Sequence, residues 1–186
     1  MERYLLHFKN KKYTPEDSRK IVYWARDLAS EMDVSVRLAR VATKFLEFDV
    51  AAEKDDLDGL LKALSPIGEI DNVRHVAEEK FSKEQGVKDG IFYFNNERYW
   101  ECHEALEGVW KQCQGREKEM LQGIILVAVA FAHAQENDTG IGVGMLHRAL
   151  EKLGTSPSMY HNIDVDRIRK KTTSMQESGE LVMFEI

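Results

Sequence analysis

Strand-like alternation of apolar residues, interrupted by two helical runs, marks this chain up to about residue 77 and gives way to long helical runs thereafter. That change of period constrains the fold more than any other feature. Tyr4, Leu6 and Phe8 alternate with Leu5, His7 and Lys9 as in a strand. Thr14-Pro15-Glu16-Asp17 offers an N-cap with proline at the first helical position, and Ile21, Trp24, Ala25, Leu28 and Met32 follow at helical spacing. Val34, Val36 and Leu38 alternate with Ser35 and Arg37, and Leu46, Phe48 and Val50 with Glu47 and Asp49, around a tight connection at Ala42-Thr43-Lys44. Leu57, Leu60, Leu61 and Leu64 form a short helix stopped at Ser65-Pro66, and 68–76 reads as a last strand. The order β-α-β-β-α-β over 1–77 predicts a ferredoxin-like α+β domain. One face of its sheet is expected under the helices. The other is expected in water, carrying Ser35, Arg37, Glu47 and Asp49.

From about Glu78 the pattern predicts an all-α domain over 78–179. Its helices span Asn95 or Asn96 to Gln112, Glu117 to Glu136, Gly140 to Leu153, and Asp164 to about Met175, with Asn137, Gly140, Gly154 and Pro157 as punctuation. Residues 180–186 read as a strand-like tail that could add to a sheet edge. With 186 residues, 43% of them apolar, the chain is long enough for two small cores and too apolar for disorder.

Charge and targeting signals narrow the partners. The net charge is −6, divided as −2 over residues 1–80 and −4 over 81–186, so no nucleic-acid partner is expected. The one dense basic run, Arg167, Arg169, Lys170 and Lys171, reads as a solvated helix face. No apolar stretch reaches the roughly 18 residues of a membrane span, and the first residues carry charge and no cleavage pattern. Cys102 and Cys113 read as reduced thiols. The expectation is a cytoplasmic protein, with a homo-oligomer and a small-molecule ligand as the partners its surfaces allow.

The segment 94–110 carries the chemistry. On a helical wheel Tyr99, Cys102, Leu106, Val109 and Trp110 form an apolar arc, with His103, Glu107, Trp100 and Glu104 following around the helix. His103 and Glu107 lie one turn apart between two tryptophans. Spaced i, i+4, they can ligate a metal, with Glu104 as general base, although glutamate stands where a His-Glu-x-x-His motif has its second histidine. Oxygen-rich ligation suits manganese or iron as well as zinc. The same pair can instead form a hydrogen-bonded structural network.

In an antiparallel hairpin about Gly115, Glu107 lies nearest position 123, making Gln122 its expected partner. His133 then falls beside Trp100 and Glu101, about 9 Å along the axis from His103. His133 or His147 is the candidate third ligand. Trp100, Trp110, Glu101 and Gln122 complete the expected polar pocket. Cys102 belongs to the apolar arc and reads as a core residue. Gly140-Ile-Gly-Val-Gly144 follows no strand and lacks the Lys-Ser/Thr of a phosphate loop.

Phe94-Asn95, Tyr99-Trp100-Glu101, His103-Glu104, Leu106-Glu107, Trp110, Leu121-Gln122-Gly123, Ala130, His133, Gly140, Ala149-Leu150, Leu153, Tyr160 and Ile163-Asp164-Val165-Asp166 together resemble the family known as domain of unknown function 309. The resemblance covers about ninety residues within 80–175. It implies a compact all-α domain with a polar cluster of His103, Glu104, Glu107, Gln122 and His133, and it brings no activity, substrate or cofactor. Glu136 departs from the glycine frequent there, which bears on the turn before Asn137. Two function classes stay open: a metal-dependent hydrolase, and a non-catalytic binding or assembly protein.

Overall fold

The computed structural model describes residues 1–77, 82–155 and 157–186. The expected start of the helical region at residue 78 lies outside them. The chain divides into two compact units, Met1–Glu79 with Gln135–Asn137, and Lys80–Ala134 with Asp138–Ile186.

The first unit contains β1 (Glu2–Lys9), α1 (Ser18–Leu28), β2 (Ser35–Val41), β3 (Phe45–Ala52), α2 (Leu57–Leu64) and β4 (Ile70–His75). Its strands lie in the order β2-β3-β1-β4, every neighbouring pair antiparallel. Each β-α-β crossover therefore brackets a third strand: β3 lies between β1 and β2, and β1 lies between β3 and β4. The expected α+β element order is the observed one.

Alternation explains the core. Tyr4, Leu6, Phe8, Leu46, Phe48 and Val50 are buried on one face with Ile21, Val22 and Ala25 of α1 and Leu60 and Leu64 of α2. Each such aliphatic or aromatic side chain contributes roughly 1.5–3 kcal/mol. Before α1, a 3-10 turn at Pro15–Asp17 is closed by the Asp17 carboxylate, which accepts from Thr14 N–H at 3.0 Å. Val22, not Trp24, completes the inner face of α1; Trp24 stays 36% exposed.

The other sheet face corrects the sequence reading. Ser35 and Arg37 are exposed as expected, but Glu47 and Asp49 are only 1% and 3% exposed. Both are buried as partners of cations. Arg40 donates to Glu47 at 2.6 Å and to Glu136 of the same unit at 2.8 Å, His7 Nε2 lies 3.0 Å from Glu47, and Arg3 donates to Asp49 at 2.7 Å. A bulge in β2 between Val36 and Leu38 shifts the register against β3, so that Arg40 stands opposite Glu47. A simple period-2 reading of β2 misses that shift.

The second unit holds α3 (Lys83–Asn95), α4 (Tyr99–Trp110), α5 (Gly115–Gln135), α6 (Thr139–Leu153), the two-residue strands β5 (Met159–Tyr160) and β6 (Ile163–Asp164), and α7 (Val165–Ser178). The all-α expectation holds, with one helix more than the sequence reading found. α3 is announced by Ser82, whose hydroxyl accepts from Gln85 N–H at 3.2 Å, the first half of a capping box.

Cys102, Leu106 and Val109 of α4 pack with Leu121, Ile124, Val127 and Phe131 of α5, Leu146 and Leu153 of α6, and Ile168 of α7. Glycines allow several close crossings. A Cβ on Gly123 would lie 2.8 Å from Leu153 Cγ and 3.0 Å from the Ala149 carbonyl, and one on Gly90 would lie 2.5 Å from Leu106 Cδ2. Asn137, at φ 64°, supplies the left-handed residue after α5, so Glu136 does not need to. α5 is apolar on most sides, yet no described helix is long and apolar enough to cross a membrane.

Residues 180–186 form no strand. Phe184 instead inserts beside Phe94, with ring centroids 5.4 Å apart, and Asn95 exchanges two hydrogen bonds with the Ile186 backbone, at 2.9 and 3.3 Å. The apolar residues of the tail serve the helical core rather than a sheet edge.

Candidate functional site

Helix α4 is fixed on its inner side by Tyr99, Cys102, Leu106 and Val109, each 2% exposed or less. Tyr99 stacks on Phe131 at 4.9 Å with an interplanar angle of 20°. Burial pushes the Cys102 thiol far up, as befits an inert core residue. With one face locked, the 100° step of the helix places Trp100, His103, Glu104, Glu107 and Trp110 along its partly exposed flank, all of intermediate burial.

Along that flank, one ligating atom from each of His103, Glu104 and Glu107 lies within 4.8 Å of the others. Donors held about 2.0–2.2 Å from a common ion stand roughly 3–4 Å apart, so small rotations of exposed side chains close the gap. The Trp100 ring lies against His103, centroids 4.7 Å apart at 31°, and restricts the imidazole. Glu107 is not the enclosed carboxylate expected between two indoles. Its side chain is 36% exposed, and Lys111 Nζ, one turn on, lies 3.6 Å from Oε1. Lys118 Nζ sits 3.9 Å from the centroid of the Trp110 ring.

The remaining predicted residues divide. Glu101 leaves the pocket: it is fully buried and takes both hydrogen bonds of the Arg98 guanidinium. Gln122 forms no side-chain bond to Glu107 among the described residues; the cation nearest that carboxylate is Lys111. His133 is half-buried on α5 and stands outside the group of His103, Glu104 and Glu107. His147 lies on the outer surface of α6, 67% exposed, 3.5 Å from Glu151 and 3.2 Å from Gln176 of α7. It stands outside the group of His103, Glu104 and Glu107, and the α6 face that meets the core carries Leu146 and Ala149.

Lys111 and Lys118 are the site-bordering residues that the sequence reading passed over. Lys111 was legible as the i+4 cation of Glu107. Lys118 was not, since its position over Trp110 depends on how the turn at Gly115 returns the chain; Gly115 itself takes φ 56°.

Residues 87–145 match DUF309, a domain of unknown function. The matched stretch runs from the second turn of α3 into α6 and includes His103, Glu104, Glu107, Gln122 and His133. It is narrower than the resemblance read from the sequence: Ala149, Leu153, Tyr160 and Ile163 to Asp166 lie beyond the DUF309 match. No curated protein matches the chain.

Proposed function

We propose that the helical unit is a binding module whose helix α4 holds one divalent transition metal through His103, Glu104 and Glu107. The convergence of those three ligating atoms within 4.8 Å carries the reading. An imidazole with two carboxylates suits manganese, iron or zinc, and the half-exposed flank gives an ion a path in. A binding role is favoured over metal-assisted hydrolysis because Glu104, the candidate base, lies inside the donor group, so using it as a ligand removes it as a base. The first unit, with its order β2-β3-β1-β4, is read as a ferredoxin-like scaffold. A cytoplasmic setting fits the two free cysteines.

The test is metal content per chain by inductively coupled plasma mass spectrometry, on untagged wild type and His103→Ala. Near one equivalent of a transition metal in the wild type, lost in the variant, is the expected result. No metal in either protein after incubation with zinc, manganese and iron overturns it.

A further inference from the structure

Three donors supplied within five residues of one helix approach a cation from one side only. A four- to six-coordinate ion would keep between one and three positions facing away from α4. Two lysines border this flank of α4. Metal entry draws Glu107 toward the ion and away from Lys111, now 3.6 Å from its Oε1, which frees an ammonium at the rim of the site. A second ammonium, Lys118, rests on Trp110, one turn beyond Glu107, at 3.9 Å from the ring.

The Trp110 indole N–H is itself buried and has no acceptor among the described residues, an uncommon condition for a donor-only group. Neutral His103, two carboxylates and a divalent ion sum to zero, and Lys111 and Lys118 add two positive charges at the rim. An incoming group should therefore be anionic, with oxygen atoms to fill metal positions and to accept from lysine and indole donors.

Resting on the metal reading above, we propose that the α4 site takes a small dianionic oxyanion, a phosphate or a dicarboxylate, as the outer ligand of its metal, with Lys111 and Lys118 as its charge partners. Lys118, poised over the Trp110 ring, turns toward the anion when it enters.

The experiment uses the full chain loaded with one equivalent of manganese, its metal content verified beforehand. Inorganic phosphate and, separately, oxalate are titrated by calorimetry, with the manganese electron paramagnetic resonance line shape as a second readout. The expected result is saturable binding of at least one of them to the loaded chain and no binding to the metal-free chain. Affinity should fall at least tenfold in Lys118→Gln and a few-fold in Trp110→Phe, which keeps the ring and removes the N–H. Whichever anion binds more tightly assigns the chemistry to phosphate or to carboxylate.

Failure of both anions to bind a chain that does hold metal overturns this inference alone. Equal binding without metal, or unchanged affinity in both Lys118→Gln and Lys111→Gln, overturns it as well. A chain that takes up no manganese, zinc or iron overturns this inference together with the metal reading, and the metal assay distinguishes that case.

Discussion

Glu47, in the sheet, is 1% exposed and is held by both Arg40 and His7, whereas Glu107, on α4, keeps 36% of its side chain in water beside one lysine 3.6 Å away. Both are glutamates with a histidine and a cation for neighbours. Burial would push the Glu47 carboxyl up, but hydrogen bonding to His7 and the charge and hydrogen bond of Arg40 outweigh it and hold the group down at about 2. A carboxylate so enclosed is committed to its partners, and an ion would have to displace them. Glu107 gives up little when it turns toward a ligand, since an exposed pair is worth about 0–1 kcal/mol. The same residue types thus read as architecture in one unit and as a candidate site in the other.

The largest expected effect tests that division directly. Glu47→Ala takes the carboxylate from Arg40 and His7 in the buried layer and should cost about 3 kcal/mol, the low end for a broken buried pair because Arg40 keeps Glu136. Glu107→Ala should cost less than about 1 kcal/mol in metal-free protein. Urea unfolding of the two variants measures both, and similar losses would erase the contrast.

Acid sharpens it next. A carboxyl held near 2 when folded, against an ordinary value of 4.5, contributes stability that is fully present above about pH 5 and is lost as pH falls toward 2. The lost stability is on the order of 3 kcal/mol. Glu47→Gln should therefore flatten the fall in stability over that window. Stability curves measured from pH 6 to pH 2 decide the matter.

A third prediction separates the helical core from its flank. Gly123→Ala drives a methyl against Leu153 and the Ala149 carbonyl and should cost roughly 1–3 kcal/mol by thermal unfolding. Metal content should persist, because α4 carries every proposed donor. The smallest effect belongs to His147→Ala, which should change stability by about 0.5 kcal/mol or less and retain metal, whereas His103→Ala is expected to lose the metal.

Much of this was legible from local pattern. The strand alternation of β1 and β3 and the apolar arc of α4 place His7, Glu47, His103 and Glu107 on definite faces, since a strand has period 2 and a helix 3.6. The helix α3 was missed because its apolar residues are sparse around Gly86 and Gly90, although Ser82 with Gln85 marked its start. The C-terminal tail was misread because alternating apolar residues look the same whether they join a sheet or anchor on Phe94 and Asn95. The third donor was sought on α5 and α6, where His133 and His147 drew attention, while Glu104 was cast as a base.

Apart from α3 and the C-terminal tail, the sequence alone determined the main elements and which side chains share a face, because propensity, capping and periodicity act within a few residues of chain. It also placed His103, Glu104 and Glu107 within one turn of α4. Only the tertiary structure decided which of those faces are dry. A one-residue bulge in β2 set Arg40 against Glu47, and the chain reversal at Gly115 carried Lys118 over Trp110. Burial and long-range pairing depend on what lies opposite a face, and no local period records that.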